Sequence, residues 1–421
     1  MNTLLETQLK RAKAAARLLK NMPTCTKNQA LDKIADALIA HSDEILEANK
    51  KDMAHAKEVN MTKAMQDRLL FTYERIVGVS EGVKKVATLP DPIGEVMESW
   101  TRPNGLKISK VRVPIGVFGI IYEARPNVTV DIASLCLKSG NACVLRGGKE
   151  AIHTNKKLVE IMKDATKDIL PEGAIELITE LDHAIVGELI HANEYVDVIV
   201  PRGGAGLIQF VVKNATVPVI ETGAGICHLY VDKDADLNKA LTIAVNAKIQ
   251  RPSVCNAIET ILVHKDVADK FLPELKKAFE KVEIKGDDAT CQIINCEHVT
   301  DDSYATEYDD YIVNIRVVHS VEEAINHIYT YSTKHSESII TENDETAALF
   351  MNSLDSACVY HNASTRFSDG GEFGFGAELG ISTQKLHARG PLGLKEMCSY
   401  QYKIEGNGQI TVRDHKTGRV I

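Results

Sequence analysis

The sequence lacks most of what marks a membrane, secreted, metal-dependent or nucleic-acid-binding protein. No apolar run reaches the roughly 18 residues that a membrane helix needs. Met1-Asn-Thr-Leu-Leu-Glu6 has neither the basic start nor the apolar stretch of a secretion leader, so none is expected. No two cysteines stand in CxxC spacing: the nine are odd in number and scattered, Cys291 and Cys296 being the nearest pair. That speaks against both a disulfide framework and a Cys₄ zinc site. An excess of basic residues is also missing, and the net charge of −9 argues against a nucleic-acid partner. There is no GxGxxG fingerprint, no repeat and no low-complexity tract. The expectation is a reduced, cytoplasmic, metal-free protein.

What is present is 421 residues, 44% of them hydrophobic and 25% charged, enough for two or three domains. Residues 1–90 are helical in pattern, with Thr26 or Asn28 expected to cap a helix that carries Leu31, Ile34, Leu38 and Ile45. Pro103-Asn-Gly105 signals a hairpin, followed by an alternating strand from Leu106 to Val113. Its mate is sought in the tail, Met397 to Val412, which alternates around Gly406-Asn-Gly408. From Val113 strands alternate with helices: strands at 114–121, 142–146, 174–178 and 196–200, helices at 128–138, 151–169 and 182–192. This order predicts a parallel α/β sheet of the class that binds nucleotides at its strand ends. Two turns there suit phosphate. One is Arg146-Gly147-Gly148-Lys149. The other is Pro201-Arg-Gly203-Gly204-Ala-Gly206, which opens a helix. A tight turn alone explains either equally well.

A second α/β unit starts at Ile226 and centres on Asn246-Ala-Lys-Ile-Gln-Arg-Pro-Ser-Val-Cys-Asn256. Leu237, Leu241, Val245 and Ile249 have helical spacing, Pro252 stops the helix, and Ala257 to Val263 reads as a strand. Cys255 therefore falls on the turn between them, beside Arg251, Ser253 and Asn256. A polar turn of this kind can hold a thiol partly exposed and partly ionised, as a nucleophile requires. The residue type alone equally fits a small buried apolar group.

Several long motifs in order resemble the aldehyde dehydrogenase superfamily. They are Tyr122-Glu-Ala-Arg-Pro-Asn-Val-Thr129, Lys138-Ser-Gly-Asn-Ala142, Gln250-Arg-Pro-Ser-Val-Cys-Asn256, Ala305-Thr-Glu-Tyr308, His361-Asn-Ala-Ser-Thr-Arg-Phe-Ser-Asp-Gly370, Phe373-Gly-Phe-Gly-Ala-Glu-Leu-Gly-Ile-Ser-Thr383 and His387-Ala-Arg-Gly-Pro-Leu-Gly393. Within it the chain is similar to the branch that reduces gamma-glutamyl phosphate with NADPH in proline synthesis. The resemblance implies an α/β, aldehyde-dehydrogenase-like fold. A Rossmann-type cofactor domain would take 1–100 and 114–225 with part of 371–392. An α/β catalytic domain would take 226–370, and a β-hairpin oligomerisation arm 101–113 and 393–421.

By the same resemblance Cys255 is the nucleophile and Asn127 an oxyanion donor. Glu221 matches a Glu that activates water in hydrolytic members; here Gly225 replaces the motif's Lys, and a structural or proton-transfer role stands beside that of base. Glu307 matches the Glu that holds the nicotinamide ribose. Arg146 and Lys149 offer two cations for the 2′-phosphate of NADP(H), or are solvated loop cations. For the substrate, Arg125 and Arg251 are expected at the acyl phosphate, and Ser364, Thr365 and Arg366 at the α-carboxylate. Arg251 is also expected to lower the thiol pKa. The implied reaction passes through a Cys255 thioester. A non-phosphorylating dehydrogenase and a catalytically silent scaffold are the rival readings. At this length a fused kinase is not expected, so a transient contact with a separate glutamate 5-kinase is implied, along with a homodimer or tetramer exchanging arms.

Overall fold

The computed structural model describes residues 2–182 and 184–411. It divides into two compact units: residues 1–120, 124–198 and 394–421 form the first, and residues 121–123 and 199–393 the second.

The first unit opens with helices Thr3–Leu19, Thr24–Ala40, Ser42–Glu58, Lys63–Leu69 and Tyr73–Thr88. Asn2, Thr62 and Thr72 cap three of them by accepting backbone N–H bonds. The helix expected to begin at Thr26 or Asn28 starts instead at Thr24 behind Pro23, without a side-chain cap. Leu31, Ile34 and Leu38 are buried on it. Ile45 belongs to the next helix, because the chain turns at His41. A four-stranded sheet follows in the order Ile175–Leu177, Ala142–Gly147, Val117–Tyr122, Val198–Arg202, its first pair parallel, residues 121–122 and 199–202 of it being counted with the second unit. Val117–Tyr122 and Ala142–Gly147 are buried along their whole length, as strands covered on both faces must be.

A separate three-stranded antiparallel sheet forms the arm. Lys107–Pro114 lies between Val96–Thr101 and the tail strand Cys398–Glu405. The tail thus pairs with the segment anticipated for it. It does so as one strand: residues 406–411 are not a strand, and Val412 lies outside the described residues. Trp100, Tyr400, Tyr402 and Ile404 are exposed on this sheet.

The second unit carries a seven-stranded sheet whose neighbours are all parallel. Its order is Glu297–His298, Glu283–Gly286, Ile312–Val318, Ile258–His264, Cys227–Val231, Ser336–Ile340, Cys358–His361. Helices Leu237–Ile249 and Lys265–Ala278 pack on it through Ala240, Ala244, Ala247, Phe271 and Leu275. Besides residues 121–123, the unit takes in the chain from residue 199, whereas the catalytic domain was expected from 226. A bridge from Ile199 to Val219 and a bond from Thr222 Oγ1 to the Pro201 carbonyl fasten residues 199–225 together as one segment. Among the described residues no helix is long and apolar enough to cross a membrane.

Candidate active site

Asp236 caps the helix Leu237–Ile249 through the N–H groups of Asn238 and Lys239. Pro252 prevents its continuation, and a turn closed by Ala257 N–H on the Val254 carbonyl presents Cys255. Because Ile258–His264 follows at once, Cys255 stands at the amino edge of the parallel sheet. The segments leading into neighbouring strands, around Gly225, Glu307 and His335, stand at the same edge.

That turn is fixed on three sides. The Cys227 thiol donates to the Cys255 carbonyl at 3.2 Å. Gly225 packs so closely that a Cβ there would lie 1.5 Å from the same oxygen. Asn256, 3% exposed, donates to the Ser368 carbonyl at 2.9 Å and to that of Arg366, and accepts from the Arg366 guanidinium. The loop 364–369 is thereby bound to the nucleophile turn. Thr365 is fully buried, its hydroxyl given to the Asn256 carbonyl at 2.7 Å. Ser364 is buried too, and its hydroxyl accepts from Arg366 N–H. Both hydroxyls hold the loop in place.

The electrostatics differ from the expectation of an ionised thiol. Cys255 keeps some surface, yet desolvation of its sulfur pushes the thiol up to about 12. Arg202 opposes that shift, Glu307 and Glu378 add to it, and the residue's own N–H opposes it again. Arg251 and Glu221 are not among these leading influences. Arg251 is exposed, and its charge is felt at Arg366. Arg366 has its own cation disfavoured by burial and favoured by Asp369 and Cys255, and it donates to Gln250 and Asn256. Glu221 bonds Gln384 Oε1 through its backbone N–H at 3.0 Å. Within the second unit, Cys255, Arg366, Arg251, Glu307 and the loop 364–366 are therefore one cluster.

Arg202 and Glu378 were not anticipated. Arg202 lies inside the Pro201-Arg-Gly-Gly turn, whose glycines drew attention while its side chain did not. Glu378 and Gly380 lie inside the motif Phe373 to Thr383. A Cβ on Gly380 would meet Arg202 Nη1 at 2.4 Å and Thr222 Cγ2 at 2.9 Å. Glu378 is raised by burial and by Asp369, and is held by Gly370 N–H at 2.7 Å.

Two places suit a dinucleotide. In the second unit, Gly203 and Gly204 lead into the helix Ala205–Asn214, whose first amides have no partner within the helix. An anion already sits there: Glu123 accepts from Gly204 N–H at 2.8 Å, in space that a Cβ on Gly203 would enter. Glu307 accepts from Gly225 N–H at 2.7 Å. In the first unit, Gly148 likewise leaves room for a carboxylate, that of Glu150, and Lys149 is exposed. Arg146 is not an outward cation. It is 7% exposed and donates to the Gly147 and Leu181 carbonyls, and burial disfavours its charge.

Asn127 and Arg125 also belong to the first unit. Asn127 is the second residue of the helix Pro126–Lys138 and gives one amide N–H to Asp131 at 2.9 Å. Arg125 precedes that helix and is exposed. Among the described residues no group of three or more His, Cys, Asp or Glu is placed to hold a metal ion.

A profile of the aldehyde dehydrogenase family matches residues 3–303. The chain is 56% identical to gamma-glutamyl phosphate reductase of Clostridium novyi over 403 residues, 95% of this chain and 97% of that one. It is also 56% identical to the protein of that name from Moorella thermoacetica, over 97% of this chain and all of the relative. The crystal structure of gamma-glutamyl phosphate reductase from Thermotoga maritima superposes with a TM-score of 0.95 at 48% identity, covering 96% of this chain and 99% of that one. The chain belongs to the aldehyde dehydrogenase family, and within it to the gamma-glutamyl phosphate reductases.

Proposed function

We propose that this chain reduces gamma-glutamyl phosphate to glutamate 5-semialdehyde with release of inorganic phosphate, a step of proline synthesis. It is an oxidoreductase acting at the aldehyde level with a nicotinamide cofactor. The observation that carries the reading is the Cys255 thiol, its turn held by Gly225 and Asn256, with its charge coupled to those of Arg202 and Arg366. A substrate with a phosphate at one end and a carboxylate at the other is drawn to such a site.

The thiol loses its proton and attacks the acyl carbon, so that a thioester forms as phosphate departs. Glu307 and Glu378, the carboxylates that the sulfur feels, are the proton acceptors at hand. The Cys255 N–H steadies the developing oxyanion, worth roughly 3 kcal/mol where it acts. A bound nicotinamide would supply the hydride; Gly203, Gly204 and the start of the helix Ala205–Asn214 would hold its phosphates in place of the Glu123 carboxylate, and Glu307 would hold its ribose. Lys149, exposed after its strand, is proposed as a cation that would meet a 2′-phosphate, which favours NADPH. Arg146 keeps the strand end in shape from inside, and a structural or proton-transfer role is proposed for Glu221.

The test is the reverse reaction: NADP⁺ reduction by glutamate 5-semialdehyde, with and without phosphate, in wild type and Cys255→Ala. Turnover that needs both phosphate and Cys255 is expected; phosphate-independent turnover would refute the acyl-phosphate chemistry.

The exposed aromatic face of the arm sheet is a surface for a second copy, so a homodimer or tetramer is proposed; a monomer by light scattering would rule it out. The nine free thiols fit the reducing cytoplasm. Because acyl phosphates hydrolyse readily, transient hand-over from a separate glutamate 5-kinase is proposed, which mild crosslinking should capture.

A further inference from the structure

The substrate has two anionic ends, and three arginines surround the nucleophile. Chemistry decides how they divide. The phosphate is bonded to the very carbon that sulfur attacks, whereas the α-carboxylate lies about 5 Å further along the extended chain. The cation for phosphate must therefore stand at the sulfur, and the cation for the carboxylate beyond it.

Arg202 is the cation whose charge weighs most on the Cys255 sulfur. Its guanidinium lies against the backbone of Gly380 and beside Thr222, where any Cβ on residue 380 would collide with it. Thr222 is anchored to the Pro201 carbonyl, and three residues further on Gly225 touches the Cys255 carbonyl. Yet this half-buried cation makes no hydrogen bond or ion pair among the described residues. Nearby carboxylates are committed elsewhere, Glu378 to Gly370 N–H and Glu123 to Gly204 N–H. Partly buried charges without a partner are costly, so such a group is retained where a ligand completes it. Arg366 is different. Its Nε and one Nη are spent on Gln250 and Asn256, and its neighbour Arg251 is exposed at the outer side of the cluster.

We propose that Arg202 is a catalytic residue whose guanidinium binds the departing phosphate of the acyl phosphate, leaving Arg366 and Arg251 to the α-carboxylate. The assignment rests on the phosphorylating reaction proposed above and goes beyond it by dividing the site. In the step concerned, the C–S bond forms and the C–O bond to the phosphate oxygen breaks. The electron pair leaves on that oxygen, and the thiol proton ends on the released phosphate as HPO₄²⁻. Negative charge grows on the leaving oxygen as the bond breaks, so a fixed guanidinium there stabilises the transition state more than the bound substrate.

The test is phosphate saturation in the reverse reaction, at saturating NADP⁺, for wild type, Arg202→Gln, Arg202→Lys and Arg366→Gln. Arg202→Gln should raise the phosphate KM roughly 30- to 150-fold, the cost of one charge-assisted contact, and leave the semialdehyde KM within about threefold. Arg366→Gln should show the opposite split. Arg202→Lys keeps the charge without the fork, so an intermediate rise, roughly tenfold, is expected; it is also the deciding variant if the Gln form does not fold. Phosphate should slow alkylation of Cys255 in wild type and not in Arg202→Gln, a readout that a merely structural arginine would not move. A phosphate KM within threefold of wild type in folded Arg202→Gln or Arg202→Lys overturns the assignment. Wild-type turnover without phosphate overturns instead the reaction on which it rests.

Discussion

Gly225→Ala is the sharpest perturbation the structure offers. The added methyl would stand 1.5 Å from the Cys255 carbonyl oxygen, 2.4 Å from its carbonyl carbon and 2.8 Å from its Cα. A carbon-to-oxygen contact needs about 3.3 Å, so one of the two backbones must retreat by roughly 2 Å. Neither has slack. The nucleophile turn is held by the Ala257 and Cys227 bonds, and Gly225 by its N–H on Glu307. A displacement of 1 Å at a reacting atom costs on the order of 10²-fold in rate. The variant should therefore lose at least about 10²-fold in kcat/KM, about 2.7 kcal/mol of transition-state stabilisation. Its overall stability should fall by only about 1–3 kcal/mol, the usual cost of overpacking. Steady-state turnover in the reverse direction, beside urea unfolding, separates the two effects. Turnover of Gly225→Ala within threefold of wild type would refute the reasoning, because it would show that the turn moves freely.

Three further outcomes follow from the same geometry. With its thiol pushed up to about 12, free Cys255 should react with iodoacetamide about tenfold faster per pH unit between 7 and 10, without a plateau; Glu307→Gln should speed the reaction, and a plateau near neutrality would contradict the burial argument. Thr365→Val leaves the buried Asn256 carbonyl without its donor, and urea unfolding should register a loss of about 1–3 kcal/mol. Lys248→Met strands the buried Glu259, which burial already raises to about 8 against Lys248. A carboxyl raised above its unfolded value loses stability as pH rises from about 4.5 through 8. The variant should hence be weakened by about 3–5 kcal/mol at pH 9 and by less at pH 6; equal losses at both would mean that Glu259 is never charged.

Local rules read the elements well where local rules decide them. The helix Leu237–Ile249 and the strand Ile258–His264 stand where periodicity puts them, because apolar spacing and Pro252 are both within a few residues. The strand Val96–Thr101 was legible only as one side of a hairpin signal. All six of its residues are exposed, and a strand wet on both faces has no alternation to read. The polar neighbours of Cys255 foretold exposure. Desolvation raises its thiol, and the charges at 202, 307 and 378 that act on it belong to segments that no window of sequence joins. Arg146 misled for the same reason: a cation at a strand end looks solvated until the carbonyl of Leu181, 35 residues on, takes it in.

The burial that sequence missed bears directly on the chemistry. An exposed, ionised thiol would form its thioester in contact with water, the competing acceptor that a phosphate-releasing enzyme has to exclude. A desolvated thiol at about 12 stays protonated, and an incoming anion that neutralises the cation beside it favours the thiol further, so the proton has to leave as the sulfur attacks. Neutralising Glu307 or Glu378 then has two opposed consequences, a more ionised sulfur and one proton acceptor fewer. Glu378→Gln should accordingly alkylate faster and turn over more slowly. If it gained in both, the proton would have to leave by another route.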